Sequence, residues 1–188
     1  MASNLAGAKP GMRVLDMAAG AGGKSLALAA AMQNQGEIIA SDIRGPALAE
    51  LETRAARAGA TIIRTRLLGT PPDYTVLEAP FDLVFLDAPC SGSGTWRRQP
   101  ELKWRLTPGK LASFAPIQDR LLREAGRLCA RGGQLVYATC SVLTCENEDR
   151  VEAFLAANPP FARLVPDVRA SPASTGTDGF YTAILGQL

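Results

Sequence analysis

Short runs of branched and aromatic residues alternate with longer runs rich in alanine and leucine along most of this chain. The short runs have no polar face, which is typical of strands that helices cover on both sides of a sheet. Strands are predicted over residues 13–17, 37–41, 61–65, 81–86 and 134–139. Helices are predicted between them, over residues 24–33, 46–58, 113–130 and 146–157. This alternation predicts an α/β fold with a mostly parallel sheet and right-handed crossovers.

Proline and glycine indicate where some of these elements begin and end. Pro46 is typical of a helix start, and the run Ala130-Arg131-Gly132-Gly133 is typical of a helix end. Near the C-terminus, "FARLV" (161–165) and "FYTAILG" (180–186) are predicted to be strands joined by a short link. We expect them to form a hairpin that adds an antiparallel edge to the sheet.

Composition restricts the functions that this chain can have. Its 188 residues, 47% of them hydrophobic, suffice for one domain with a single core. The absence of histidine excludes histidine-based triads, and the four cysteines form no Cys-x-x-Cys pair, so we expect free thiols and no metal site. The sequence has no apolar run of membrane-spanning length and does not begin like a secretory signal, which predicts a cytoplasmic protein with no membrane partner.

A run of small residues, "DMAAGAGGKS" (16–25), leads from the first predicted strand into the first helix. Glycine lets backbone NH groups approach a ligand closely, and a helix N-terminus favours negative charge. A GxxxxGK[ST] loop requires glycine where Ala18 stands, and a GxGxxG loop requires glycine where Ser25 stands. A nucleotide-binding loop and an ordinary strand-to-helix turn therefore both stay open.

Asp42 stands at the end of the second predicted strand, about twenty residues after the glycines. A carboxylate in this place can accept hydrogen bonds from both hydroxyl groups of a ribose. The alternative is that Asp42 caps the helix that begins near Pro46. Together with the glycine loop, Asp42 indicates a nucleoside cofactor beyond the C-terminal ends of the strands.

Two cysteines follow strands that end at the same edge of the sheet. The fourth strand ends in "LDAPC" and the fifth in "YATC", so Asp87, Cys90 and Cys140 are expected to lie close together near the cofactor crevice. The other two cysteines, Cys129 and Cys145, are expected to be small buried hydrophobic residues.

The segment after Cys90 combines glycine, basic residues and tryptophan. The run "SGSG" (91–94) is predicted to let the backbone approach a planar ligand, and "TWRRQPELKWR" (95–105) offers cations for phosphates and indoles for stacking. The alternative is a solvated loop whose tryptophans pack inward. The candidate RNA-binding residues are Arg97, Arg98, Lys103, Trp104 and Arg105.

Three segments carry a resemblance to a known family: "DAPCSGSGTWRRQPELKWR" (87–105), "YATCSVLTCENEDRV" (137–151) and "TDGFYTAIL" (177–185). They resemble the Sun/nucleolar-protein (NOL/NOP/Sun) family of RNA cytosine-5 methyltransferases, and the resemblance covers nearly the whole chain in order. It implies the Rossmann-like class I methyltransferase fold, S-adenosyl-L-methionine as cofactor, and methylation of C5 of cytosine in rRNA or tRNA. We expect the chain to be a monomer.

The resemblance also implies a role for individual residues. Cys140 would be the nucleophile that adds to C6 of cytosine, Cys90 would assist release of the product, and Asp87 would bind the cytosine near N3. Lys24 would be a polar contact in the active site, and Asp42 would bind the ribose of the cofactor. The implied cofactor contacts are Asp16, Ala18, Ala19, Gly20, Gly22, Gly23, Lys24, Asp42, Arg44, Asp87 and Pro89.

Such chemistry requires a thiolate at Cys140. The ordinary pKa of a cysteine is about 8.5, so few thiols are ionised at neutral pH. We predict that nearby cations, or a helix that starts at Glu146, lower the pKa of Cys140.

The chain departs from the family pattern in three places. Ala18-Ala19-Gly20-Ala21 stands where the family has Cys-Ala-Ala-Pro, and loss of the proline is predicted to loosen the cofactor loop. The segment "RTRLLGT" (64–70) lacks the acid that meets the adenine in the family. Residues 1–188 are predicted to be a single catalytic domain without the family's N-terminal RNA-binding region, so RNA recognition is expected to need a further domain or a partner.

Two other functions are compatible with these residues. DNA cytosine methyltransferases use the cysteine of the Pro-Cys pair as nucleophile and have no need of "ATCS". A catalytically idle RNA-binding or ribosome-assembly factor that keeps the methyltransferase fold is the alternative from a different class.

Overall fold

The computed structural model describes residues 5–188, in which an eight-stranded sheet carries helices on both faces. The strands are β1 (Arg13–Asp16), β2 (Glu37–Asp42), β3 (Ile63–Leu67), β4 (Phe81–Asp87), β5 (Cys129–Thr139), β6 (Phe161–Arg163), β7 (Val168–Ala170) and β8 (Phe180–Gln187). The helices are α1 (Gly23–Ala31), α2 (Gly45–Ala58), α3 (Glu101–Arg105), α4 (Pro108–Leu128), α5 (Glu148–Ala157) and α6 (Pro172–Thr175).

The strand order places a crevice at the middle of the sheet. Its order is β3-β2-β1-β4-β5-β8-β6, with β7 paired to β8. Strands β1 to β5 run parallel, whereas β8 runs antiparallel to β5, β6 and β7. Strands β1, β2 and β3 follow one another outward on one side of the sheet. Strand β4 then lies on the other side of β1, and β5 follows next to β4. Ligands of such sheets bind at this switch point, beyond the C-terminal ends of the strands.

The central strands are buried on both faces, as their lack of a polar face predicts. Leu15, Val84 and Tyr137 pack on one face with residues of α4 and α5. Their neighbours in the chain, such as Val14 and Phe85, pack on the other face around α1. The alternation of side chains along a strand thus supplies a core to each layer. The predicted α/β fold with a mostly parallel sheet is confirmed.

Both predicted ends of the third predicted helix, residues 113–130, are wrong. Helix α4 begins at Pro108, where the Thr107 hydroxyl accepts the NH of Lys110 at 3.2 Å, and ends at Leu128. Residues 130–133 belong to β5, close to an irregularity in the pairing of β4 with β5. A Cβ on Gly133 would lie 3.0 Å from the carbonyl oxygen of Asp82, so the glycine serves close strand packing and not a helix stop.

Other boundaries also differ from the prediction. Strand β3 lies two residues later than expected, and α5 begins at Glu148, because the preceding residues form a separate 3₁₀ turn (Thr144–Glu146). The antiparallel pairing of the C-terminal strands is confirmed, but β8 lies inside the sheet between β5 and β6. The link between them also contains β7 and α6, which were not predicted.

Within residues 5–188, no helix combines the length and apolar character needed to cross a membrane.

Candidate active site

A cavity of about 460 Å³ opens where β1, β2, β4 and β5 end. Its lining includes several residues that the sequence indicated for the cofactor or for catalysis: Ala18, Asp42, Arg44, Asp87, Pro89, Cys90 and Cys140. The rest of the wall was not predicted and is mostly apolar: Met17, Ile43, Leu68, Pro72, Tyr74, Ala88, Ile117, Arg120 and Leu121. The remaining predicted cofactor contacts stand in or under the loop between β1 and α1 and do not line this cavity: Asp16, Ala19, Gly20, Gly22, Gly23 and Lys24.

The loop between β1 and α1 is held by backbone hydrogen bonds. The NH of Ala19 donates to Ser41 at 3.0 Å, and the NH of Gly22 donates to Ala19 at 2.9 Å. Gly22 has a φ of 79°, and a Cβ there would lie 2.3 Å from Cγ of Leu51. The loop therefore requires glycine at this position, for its backbone conformation and for its contact with α2.

Asp42 is engaged on both of its carboxylate oxygens. Oδ2 accepts the NH of Gly20 at 2.8 Å, and Oδ1 accepts the NH of Arg44 at 2.9 Å, while the Arg44 guanidinium pairs with both oxygens. Burial alone would raise the pKa of Asp42, but these hydrogen bonds lower it below its ordinary value. The N-cap of α2 is Arg44 and not Asp42, so the alternative that Asp42 is the N-cap is wrong; at the start of this helix, Asp42 accepts the NH of that N-cap residue.

Asp16 lies beneath the same loop and is fully buried. Its Oδ2 accepts the hydroxyl of Ser25 at 2.6 Å, whereas Oδ1 has no hydrogen-bond partner among the described residues. Burial raises the pKa of Asp16 to about 6, and the Ser25 hydrogen bond opposes the shift. Asp16 is thus a carboxyl group with a spare acceptor next to the crevice.

Lys24 and Asp87 form an ion pair across the crevice, from α1 to the end of β4. Burial would lower the pKa of Lys24, but the Asp87 carboxylate raises it above its ordinary value. The charge of Lys24 also favours the thiolate of Cys140. The pair therefore joins the cofactor loop to the reactive edge of the sheet.

The two predicted cysteines are in direct contact. The Sγ atoms of Cys90 and Cys140 lie 3.3 Å apart. The hydrogen bond between them lowers the pKa of Cys140, with a further contribution from Lys24, although burial and Asp87 oppose the shift. The same hydrogen bond, together with burial, raises the pKa of Cys90. A thiolate at Cys140 that accepts a hydrogen bond from the Cys90 thiol is therefore favoured.

The predicted contribution of a helix start at Glu146 to this shift is wrong. Glu146 ends the 3₁₀ turn, and its side chain is buried as a hydrogen-bond acceptor between the two cysteine loops. Its negative charge acts against ionisation of the neighbouring Cys90. No sequence signal pointed to this carboxylate, because its contacts come from segments far apart in the chain.

The other cysteines differ from each other. Cys129 is buried in the core, as predicted, and burial raises its pKa to about 11. Cys145 is exposed, so its predicted burial is wrong. It lies in the short 3₁₀ turn before α5.

The two glycines after Cys90 have different neighbours, since a Cβ on Gly92 would lie 2.9 Å from the side chain of Leu102. A Cβ on Gly94 would lie 2.1 Å from the carbonyl oxygen of Gly179, and the NH of Gly94 donates to the carbonyl of Cys140 at 2.9 Å. The lack of a side chain at Gly94 therefore allows the two cysteine loops to contact the turn before β8. The approach of this run to a planar ligand stays a prediction.

The basic segment spans α3 and the turn before it. Arg97 and Arg98 both pair with Asp178. The ammonium group of Lys103 lies 5.9 Å from the Trp96 ring and 5.7 Å from the Trp104 ring. Trp104 is 80% exposed and Trp96 is half-buried, so the inward-packing alternative describes only Trp96. Arg105 is exposed at the end of α3.

Residues 4–186 match the family described as 16S rRNA methyltransferase RsmB/F. The ribosomal RNA small subunit methyltransferase B of Thermus thermophilus is 38% identical over 98% of this chain and 47% of its own length. The tRNA (cytosine(72)-C(5))-methyltransferase NSUN6 of Mus musculus is 37% identical over 76% of this chain and 32% of its own length. This chain thus spans less than half the length of these curated relatives.

Solved structures agree with these matches. The crystal structure of NSun6 from Pyrococcus horikoshii with SFG has a TM-score of 0.89 and 27% identity, covering 99% of this chain and 50% of that one. The resemblance carried by the two cysteine motifs is confirmed, as is the class I methyltransferase fold that it implied. The chain belongs to the 16S rRNA methyltransferase RsmB/F family.

Proposed function

We propose that this chain is the catalytic domain of an S-adenosylmethionine-dependent methyltransferase that modifies C5 of cytosine in rRNA or tRNA. The observation that carries the proposal is the contact between the Cys90 and Cys140 thiols in the wall of the cavity. Relatives named for methylation of ribosomal RNA and of tRNA cytosine support it. A DNA methyltransferase, which uses only the cysteine of the Pro-Cys pair, would leave the second thiol without a role.

The cavity fits S-adenosylmethionine. Apolar side chains such as Ile43, Leu68 and Ile117 offer walls for an adenine ring, and Asp42 offers acceptors for ribose hydroxyls. The Arg44 side chain is 65% exposed, so it can turn away when hydroxyls take its place on Asp42. The related NSun6 structure contains SFG, an analogue of this cofactor. When bound, S-adenosylmethionine supplies an electrophilic methyl group.

Cys140 begins the reaction as a nucleophile. Its thiolate adds to C6 of the cytosine and forms a C–S bond, while the electron pair of the C5=C6 bond becomes available at C5. Charge that develops on the ring is neutralised at N3. The ammonium proton of Lys24 can pass through Asp87 to N3, which leaves Lys24 neutral and the ring without excess negative charge.

Cys90 assists the last step. After C5 is methylated, its proton passes to water or to a substrate phosphate, the C5=C6 bond re-forms and the C6–S bond breaks. The electron pair of that bond returns to Cys140 as a thiolate, and the N3 proton returns through Asp87 to Lys24. The Cys90 thiol, 3.3 Å away, donates a hydrogen bond to this leaving group and thereby stabilises it.

RNA is proposed to approach over α3. Arg97, Arg98, Lys103 and Arg105 supply positive charge, and the exposed indole of Trp104 offers a stacking surface. A further RNA-recognition domain or partner is proposed to select the target cytosine, since this chain spans less than half the length of its curated relatives.

The direct test is transfer of labelled methyl from S-adenosylmethionine to rRNA and tRNA from cells that lack this gene. Label should appear as 5-methylcytosine with the unaltered protein and not with Cys140→Ala. The full-length gene product is assayed in parallel, because RNA selection can depend on its other regions. Label in another base, or undiminished label with Cys140→Ala, would contradict the proposal.

A catalytically idle RNA-binding or ribosome-assembly factor is the second candidate. One observation favours it: both Asp42 oxygens already accept hydrogen bonds from Arg44 and Gly20, which compete with the ribose hydroxyls of a cofactor. Calorimetric titration with S-adenosylhomocysteine distinguishes the two functions. Binding supports the enzyme, and no binding at millimolar ligand supports the idle factor.

A further inference from the structure

A buried carboxylate joins the two cysteine loops. Glu146 is 1% exposed. Its Oε1 accepts the backbone NH of Ser91 at 2.8 Å and the Nε2 of Gln118 at 3.3 Å. Its Oε2 accepts the hydroxyls of Ser91 at 2.5 Å and of Ser141 at 2.6 Å. Three of these four hydrogen bonds come from the residues that directly follow Cys90 and Cys140, and the fourth comes from Gln118 of α4.

The contacts of Glu146 lie next to each cysteine in the chain. Ser91 directly follows Cys90, and Ser141 directly follows Cys140. Gln118 also donates to the carbonyl of Pro89 at 3.0 Å, which anchors the residue before Cys90. Movement of Glu146 would therefore remove a shared contact from both cysteine loops at once.

Glu146 itself is held firmly from β5. The hydroxyl of Tyr137, a fully buried residue of that strand, donates to the backbone carbonyl of Glu146 at 2.7 Å. Because Tyr137 stands in the strand that ends at Cys140, the carboxylate is tied to the same rigid element as the nucleophile. Groups placed on such elements hold their geometry better than groups on free loops.

A carboxylate at this place is expensive to bury. Its hydrogen-bond donors are neutral groups from Ser91, Gln118 and Ser141, and burial of a charge without an ion pair costs free energy. A smaller polar residue could satisfy part of the same donors at less cost. A side chain that accepts all four of these hydrogen bonds at once joins the two loops in addition to filling space.

We propose that Glu146 is a positioning residue that holds the Cys90 thiol against Cys140, in the geometry needed for attack and release. The catalytic part of this inference rests on the proposed function, whereas the thiol contact does not. The charge of Glu146 also raises the pKa of Cys90, as do the hydrogen bond with Cys140 and burial. Cys90 thereby stays a donor to Cys140.

Disulfide formation measures the thiol contact without RNA or cofactor. Diamide takes two electrons and two protons from Cys90 and Cys140, which become a disulfide, and is itself reduced to a hydrazine. The rate is measured by mass spectrometry of the cross-linked peptide, for the unaltered protein, Glu146→Ala and Glu146→Gln. Asp149→Asn is the matched control, since this exposed residue carries the same charge three positions further along.

Glu146→Ala should slow cross-linking about tenfold, because buried donors of both loops lose their acceptor. Glu146→Gln should recover most of the rate, since an amide oxygen can accept one NH while the serine hydroxyls rotate. Asp149→Asn should leave the rate unchanged. A folded Glu146→Ala protein that cross-links at the unaltered rate would overturn the proposal.

A second variant tests the proposal if the Glu146→Ala protein does not fold. The double change Ser91→Ala and Ser141→Ala removes the hydroxyl donors and keeps the carboxylate and its backbone contact with Ser91. It should slow cross-linking about threefold. An unchanged rate in this folded variant would also overturn the proposal.

Methyl transfer then separates this inference from the proposed function. Glu146→Ala should lower kcat about tenfold and leave the KM for S-adenosylmethionine within about twofold, because Glu146 does not line the cavity. Unchanged kcat in an active enzyme would overturn the inference alone. No transfer by the unaltered full-length protein, with cross-linking that still depends on Glu146, would overturn the proposed function alone.

Discussion

Cys90 and Cys140 lie fifty positions apart in the chain, yet their Sγ atoms are 3.3 Å apart. The hydrogen bond that they share lowers the pKa of Cys140 and raises that of Cys90. The contact therefore makes two chemically similar groups different, one favoured as a thiolate and the other as a thiol. The proposed reaction requires this difference, since one sulfur attacks and the other stabilises it when it leaves.

The first prediction concerns cysteine reactivity near neutral pH. Iodoacetamide should modify Cys140 well before Cys90 and Cys129, because alkylation requires the thiolate and burial raises the pKa of Cys129 to about 11. Mass spectrometry of tryptic peptides over time gives the order. Cys90→Ala should slow the alkylation of Cys140, since it removes the hydrogen bond that favours the thiolate. Equal labelling of Cys140 and Cys129 would contradict the assignment.

The second prediction concerns the ion pair of Lys24 and Asp87. Lys24→Met should raise the pKa of Cys140, seen as a shift of its alkylation rate to higher pH, because the cation that favours the thiolate is lost. Methyl transfer should fall about a hundredfold or more, as expected for loss of a proton donor. Lys110→Met, an exposed change on α4, is the control and should alter neither quantity. An unshifted alkylation profile for Lys24→Met would show that this charge does not act on Cys140.

The third prediction separates the roles of the two thiols. Cys90→Ala should accumulate a covalent protein–RNA complex, because the C6–S bond forms but its breakage loses the donor that stabilises the thiolate. Cys140→Ala should form no complex. Denaturing electrophoresis with labelled RNA detects the adduct. The reverse pattern would assign the nucleophile to Cys90 and indicate chemistry of the DNA methyltransferase type.

The fourth prediction concerns Gly22 in the loop between β1 and α1. Gly22→Ala should lower the free energy of unfolding by about 1–3 kcal/mol, since its φ is 79° and the new methyl would overlap Leu51. Gly109→Ala is the control, because α4 has open space there and a favourable backbone. That variant should be neutral or up to about 1 kcal/mol more stable. Urea denaturation measures both, and equal stabilities would refute the predicted overlap.

The fifth prediction follows from the buried carboxyl group of Asp16. Because its pKa rises from 3.8 to about 6 on folding, the folded protein binds this proton more tightly than the unfolded chain does. The stabilisation is present below about pH 4 and is lost as pH rises through about 6, a change on the order of 2–3 kcal/mol. Asp16→Asn should remove this part of the pH dependence in urea denaturation. A pH profile identical to that of the unaltered protein would show that Asp16 has an ordinary pKa.

The pattern along the chain was sufficient to predict the sheet and the edge at which the site lies. Apolar runs without a polar face marked β1, β2, β4 and β5, because burial of a strand on both sides is visible in the chain itself. The residues that follow β4 and β5, among them Cys90 and Cys140, then had to lie at one edge, since parallel strands end together. The cysteine motifs added the family, which local spacing alone did not identify.

Contacts between distant segments could not be predicted in this way. The end of α4 was placed too late because Gly133 resembles a helix stop, whereas its lack of a side chain serves the close approach of β4. Gly94 stands in a run whose glycines were linked to a ligand, and the structure shows that it packs on the backbone of Gly179. In both cases the residue type was noticed, but its partner lies in another part of the chain.

The sequence by itself determined the α/β layering, the edge of the sheet at which the site lies, and the set of reactive groups. Periodicity, turn residues and motifs are properties of neighbouring residues, so they can be read along the chain. Only the tertiary structure decided how these groups act on one another. The 3.3 Å contact of the thiols and the carboxylate of Glu146 between their loops depend on distances across the fold. Hydrogen bonds and charges act over a few ångströms, so only packing of the complete sheet and helices determines which thiol is ionised.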